Sequence, residues 1–188
     1  MATLRMFISS DIEDKKIVRG IADLKKSLQL PWAKIKFVED HNLHFTLKFF
    51  GDVEDDLLAK IEEKLSEISF TPFIIELKTV GYFTPDYPRV LWIGAEKGGE
   101  ELRELSSLID DKMSSLGFQR EKREFSPHLT IGRIKYVKNR RAFSEKIDTY
   151  KNLSFGSFEA SSFRLKKSTL TPEGPVYDLI KEFKLEGI

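Results

Sequence analysis

The chain has 188 residues, 40% of them hydrophobic and 32% charged, with 31 Lys and Arg set against 30 Asp and Glu for a net charge of +1. That suits one domain, or two small lobes sharing a core. The absence of cysteine excludes disulfides, thiol nucleophiles and thiolate metal sites, and the near-neutral balance argues against bulk nucleic-acid coating while leaving room for a local basic cleft.

The N-terminal stretch lacks a basic region followed by a long apolar run, and 4–9 reads as a first strand rather than a leader. Residues 11–30 read as a helix, with Ile17, Ile21, Leu24 and Leu28 at helical spacing and Pro31 closing it. A short strand is expected at 36–38 and a stronger one at 44–50, ended by Gly51. Leu57, Leu58, Ile61, Leu65 and Ile68 mark a helix over 56–68. Strands follow at 72–80 and 89–95 around a turn rich in Gly, Pro and Asp. A helix over 102–116 stops at Gly117. A strand at 128–134, a short helix at 139–147 and two last strands at 157–170 and 176–185 complete the pattern. No low-complexity segment divides the chain, and no run of about 18 apolar residues offers a membrane span. A cytoplasmic location is the simplest reading. Scarce Asn and Gln beside abundant Lys and Glu suit a thermophilic protein.

Two four-residue segments share one pattern: His-Phe-Thr-Leu at 44–47 and His-Leu-Thr-Ile at 128–131. The chain has three histidines, and two of them head this pattern. With nine threonines and 40% apolar residues, one histidine matches by chance at roughly 0.8%, and two of three match on the order of 2 times in 10,000. Side chains alternate along a strand. His44 and Thr46 therefore share one face, as do His128 and Thr130, while Phe45, Leu47, Leu129 and Ile131 turn to the core. Two such strands facing one cleft supply an acid, a base and two hydroxyls, the groups that phosphodiester cleavage requires. Each motif follows an irregular polar stretch and precedes a helix candidate, which suggests an internal duplication. Zinc is a competing use for two histidines, yet neither His-x-His nor His-Glu-x-x-His occurs. His41 lies in a polar turn segment and reads as solvent-exposed.

Around these motifs the chain resembles the 2H phosphoesterase superfamily, whose mark is a pair of His-x-Thr-x motifs, and within it the bacterial and archaeal RNA 2',3'-cyclic phosphodiesterases, formerly called 2'-5' RNA ligases. LRMFISSDI resembles the family's opening strand and HFTLKFFGDV its first motif. PRVLWIG resembles a mid-chain strand, FSPHLTIGR the second motif, and KSTLTPEGPVYDLIKEFKL the closing hairpin. The resemblance implies an α+β fold of two pseudo-symmetric lobes, with antiparallel sheets around a central cleft and helices outside, as a single bilobal domain over 1–188. It implies His44 and His128 as the catalytic pair, Thr46 and Thr130 as phosphate ligands, and Arg133 as a further substrate contact. It also implies hydrolysis of RNA 2',3'-cyclic phosphate ends to 2'-phosphates without metal or cofactor. Cleaved RNAs such as tRNA halves, or small cyclic nucleotides, are the implied partners of a monomer. Joining of RNA ends through a 2'-5' linkage, or non-catalytic binding of RNA ends, are the alternatives. Strict alternation turns Arg133 away from His128, so its role needs a bulge at Gly132. Arg120, Lys122, Arg123, Lys135, Lys138, Arg140 and Arg141 form either a solvated face or a rim for RNA phosphates. Most of the 15 phenylalanines must be core, and Tyr82, Phe83 and Tyr87 are the candidates for stacking on a base.

Overall fold

The computed structural model describes residues 3–187. Among the described residues, nine strands, four α-helices and two short 3-10 turns follow one another. β1 (Thr3–Asp11) leads to α1 (Lys15–Ser27), then β2 (Ala33–Phe37) and β3 (His44–Glu54). After α2 (Leu58–Ser66) come β4 (Phe73–Phe83) and β5 (Val90–Lys97), then α3 (Gly99–Ser114), β6 (His128–Val137) and α4 (Arg140–Asp148). β7 (Ser154–Ala160), β8 (Ser162–Leu170) and β9 (Pro175–Lys184) close the fold.

The strands form two sheets, one in the order β3-β1-β8-β9 and one in the order β2-β6-β5-β4-β7. Every pairing is antiparallel. The expected α+β class with two related lobes is what the chain adopts. Apart from the added β2, the lobes match strand for strand: each motif strand pairs with the strand that crosses to it, β3 with β1 and β6 with β5. Yet each lobe draws on both halves of the sequence, because β8 and β9 return to the sheet begun by β1. The helices cross as well. α1 packs on β7 of the second sheet, and α3 packs on β3 of the first.

α1 begins later than its apolar spacing suggests. β1 runs on through Asp11, and Asp14 caps the helix by accepting from the N–H groups of Lys16 and Ile17, both at 2.9 Å. Ile17, Ile21, Leu24 and Leu28 are buried as expected. The expected end of β3 at Gly51 is displaced to Glu54. Phe7 pairs with Phe49 and Met6 with Gly51, so Phe50 is looped out, and Gly51 at φ 75° carries the bulge. The long run at 157–170 is two strands in different sheets, broken at Ser161, whose carbonyl accepts from Leu185 N at 2.8 Å. Among the described residues, no helix is long and apolar enough to cross a membrane.

Candidate active site

His44 opens β3 and His128 opens β6, so the two motifs come from different sheets and meet where β3 and β6 run in contact. Both imidazoles are fixed in the same way. Nδ1 of His44 donates to the carbonyl of Asn42 at 2.6 Å, and Nδ1 of His128 donates to that of Ser126 at 2.7 Å. A carbonyl only accepts, so each Nδ1 carries a hydrogen and each Nε2 is left to exchange protons. Nε2 of His44 lies 3.0 Å from the Thr46 hydroxyl.

Both rings, Thr46, Thr130 and Arg133 line one cavity of about 620 Å³. The five residues picked from the sequence thus converge. Arg133 reaches the cavity by a bulge. Trp92 pairs with Thr130 and Leu91 with Gly132, so Ile131 is skipped, and Ile131 and Gly132 are both buried in succession. The phase of β6 reverses and Arg133 emerges on the His128 face. Glycine is required there because a Cβ would lie 2.7 Å from Ile35 Cγ2 and 3.3 Å from Phe37 Cδ1.

β3 repeats the device. Ser9 pairs with Thr46 and Ile8 with Lys48, and Leu47 and Lys48 are both buried. Lys48 turns inward to an ion pair with Asp110 and donates to Gln119 O at 3.2 Å, which satisfies its buried charge. The phase change brings Phe49 to the cleft face, in the position that Arg133 holds on β6. Two pseudo-equivalent sets result: His44, Thr46 and Phe49 opposite His128, Thr130 and Arg133.

Burial pushes the pKa of both histidines below the ordinary value. For His44, the carbonyl of Asn42 opposes that shift, and the charges of Lys166 and Asp11 act in opposite directions. Asp11, the cross-strand partner of His44, accepts from Lys166 at 2.5 Å and Arg164 at 2.8 Å. For His128, the nearby Arg133 charge adds to the lowering.

The aromatic residues of the cleft were not those picked out by turn context. Tyr82 packs on Phe143, Phe83 stands edge-on to His128 at 4.8 Å, and Tyr87 lies beside Arg89 and Arg140; none of the three lines the cavity. Phe7, Phe37, Phe49 and Tyr177 do. Phe7 lies 5.1 Å from the His44 ring and 4.8 Å from Tyr177. Burial raises the Tyr177 pKa against the pull of Arg133, so its hydroxyl remains a donor at neutral pH. Phe7 and Phe49 share the His44 face across paired strands, which only the register reveals. His41 is exposed, as its polar turn suggested, and stands at the cavity rim.

Paired His-x-Thr strands facing one cleft between two antiparallel lobes define the architecture of a 2H phosphoesterase. Comparison narrows this. The family model described as LigT like Phosphoesterase matches twice, over residues 12–92 and 93–177. Over 181 residues the chain is 43% identical to a Methanocaldococcus jannaschii protein named RNA 2',3'-cyclic phosphodiesterase, covering 96% of this chain and all of that one. A protein of the same name from Archaeoglobus fulgidus is 41% identical over 182 residues, again covering 96% of this chain and 100% of the relative. A crystal structure from Thermus thermophilus superposes with a TM-score of 0.79 at 25% identity, covering 98% of this chain and 99% of that one. The Escherichia coli LigT structure complexed with 3'-AMP gives a TM-score of 0.79 at 22% identity, covering 97% and 98%. The chain belongs to the LigT-like phosphoesterase family. The double match confirms the duplication inferred from the two motifs.

Proposed function

We propose that this cleft hydrolyses the 2',3'-cyclic phosphate end of RNA to a 2'-phosphate, with the two histidines as acid and base and with no metal. The observation that carries the reading is the pair of Nε2 atoms, presented to one cavity from opposite sheets by matching Nδ1–carbonyl bonds. Displacement at phosphorus places the entering and leaving oxygens roughly in line. A base is needed on one side and an acid on the other, and two facing strands supply them. Water attacks phosphorus as His128 Nε2 takes its proton. The P–O3' bond breaks as protonated His44 gives its proton to O3'. Thr46 and Thr130 donate to the non-bridging oxygens, and Arg133 offsets the charge that builds on them. The names of the relatives support the substrate class. Both motifs lie on one chain, so the reading needs no second copy: a single bilobal domain acting as a monomer, on cleaved RNAs such as tRNA halves or on small cyclic nucleotides.

The test is product analysis of a short RNA ending in a 2',3'-cyclic phosphate, in excess chelator. A 2'-phosphate end is expected. A 3'-phosphate product would reverse the leaving group. Activity lost to chelator and restored by zinc or magnesium would overturn metal independence. Tight binding without turnover would leave an RNA-end binding module, and a 2'-5' joined product would make the protein a ligase.

A further inference from the structure

Phe49 is 46% exposed, although phenylalanine is among the residues most often buried. Isolated exposed rings are common on protein surfaces, but three features separate this one. It lines the cavity that holds both histidines. The Leu47–Lys48 bulge turns it to the cleft face, at the position where the second motif strand carries Arg133. The Arg5 guanidinium also lies 4.8 Å from its ring centroid, so one face of the ring is held by a cation. Arg5 also forms a loose ion pair with Asp52 at 3.9 Å.

At about 3.3 Å per residue, Phe49 stands roughly 15 Å along β3 from His44. Phe7 and Tyr177 hold their rings against His44, at 5.1 and 5.5 Å, so the terminal nucleoside, whose phosphate sits between the histidines, meets them before Phe49. Phe49, farther along the wall of the same cavity, is left for the base on the 5' side of that nucleoside. A flat, half-open aromatic face backed by a guanidinium takes a nucleobase of any identity, because every base has a π-face.

We infer that Phe49, backed by Arg5, forms a stacking subsite for the base of the nucleotide preceding the cyclic phosphate, which makes an RNA chain a better substrate than a mononucleotide. The inference rests on the function proposed above. The pseudo-symmetric sets then divide their work: Arg133 serves the phosphate on one strand, and Phe49 holds the chain on the other.

The experiment compares kcat/KM for a 2',3'-cyclic mononucleotide, a dinucleotide ending in a 2',3'-cyclic phosphate, and the same dinucleotide with an abasic first residue. The wild type should prefer the dinucleotide, and removal of the base should abolish the preference. Phe49→Ala should lower the dinucleotide-to-mononucleotide ratio about tenfold, the scale of losing one stacked base, with no further loss on the abasic substrate. Phe49→Trp should keep the ratio. Phe49→Leu keeps apolar bulk at the site without a π-face and should lose the ratio as Ala does, which guards against a variant that merely folds badly. An unchanged ratio in Phe49→Ala, or equal losses on both substrates, overturns the subsite. Failure of the wild type to turn over either substrate would instead overturn the underlying function, and the subsite with it.

Discussion

Arg133 shows what strand periodicity can and cannot settle about a single residue. Counting in twos from His128 sends it to the far face. The bulge at Ile131–Gly132 sends it to the cleft, where its charge helps hold His128 below the ordinary histidine pKa. Arg133→Ala should lower kcat/KM about tenfold or more, the order of one charged contact at a developing anion. The same change removes a repelling cation, so the His128 pKa should rise and the acid limb of the pH profile should move upward. Steady-state kinetics across pH check both, and wild-type values with an unmoved limb would sink the assignment. The histidines and threonines were legible because polar groups recur at a spacing of two inside apolar strands. Phe49 and Phe7 were not, because an aromatic ring in a strand reads as core until the register shows which face is open. Tyr82 and Phe83 misled for the converse reason. A turn-rich neighbourhood suggests exposure, but Tyr82 continues β4 onto Phe143.

Most elements follow from short-range chemistry, and their errors fall where pairing decides. Three of the four helices were read from apolar spacing, and among the residues that marked them Ile61, Leu65, Leu105 and Ile109 are buried while Leu108 is exposed. Strand ends were less legible. Gly51 punctuates a sequence but here serves a bulge within β3, and Ser161 separates β7 from β8 only because the two join different sheets. The turn from β4 to β5 holds a local cost. Thr84 has φ 62°, a left-handed conformation that a β-branched residue adopts with strain, and it precedes Pro85. The turn closes through Tyr87 N donating to Thr84 O at 2.9 Å, so the backbone is held there while the threonine side chain is exposed. Left-handed strain costs about 1–2 kcal/mol, and glycine gives back roughly 0.5–1 kcal/mol in unfolded-state entropy. Thr84→Gly should therefore stabilise by about 0.5–1 kcal/mol, which raises Tm by roughly 1–4 °C in a chain of this size. A thermal melt that shifts downward would show that the threonine is not strained.

At the scale of the whole molecule, the two halves are interleaved, so neither motif can be presented without the other half's strands. The duplication was visible in the sequence, but the interleaving was not, since it depends on β8 and β9 returning to the first sheet. The result is a cleft whose walls are equivalent in backbone and unequal in charge. His44 has the Asp11–Lys166 ion pair behind it, and His128 has Arg133 beside it. Burial lowers both pKa values, so near neutral pH both rings of the free protein are mostly uncharged. In the proposed mechanism the reactive form needs one neutral and one protonated ring. Its population rises as pH falls toward the lowered values and drops again when both rings protonate. The bell of kcat/KM, which reports free-protein ionisations, should peak on the acid side of about 6.5, the ordinary histidine value. A bound phosphate anion favours the imidazolium, so the kcat bell should lie at higher pH. A kcat/KM maximum above the ordinary histidine value would contradict the burial argument. The roles separate through the leaving atom. A cyclic substrate with sulfur at the 3' position has a leaving group that needs little protonation. It should restore His44→Ala far more than His128→Ala, because only the loss of the proton donor is bypassed. Rescue of the His128 variant instead would exchange the two roles. Rescue of neither would remove acid–base catalysis by this pair, and with it the reason for two facing motifs.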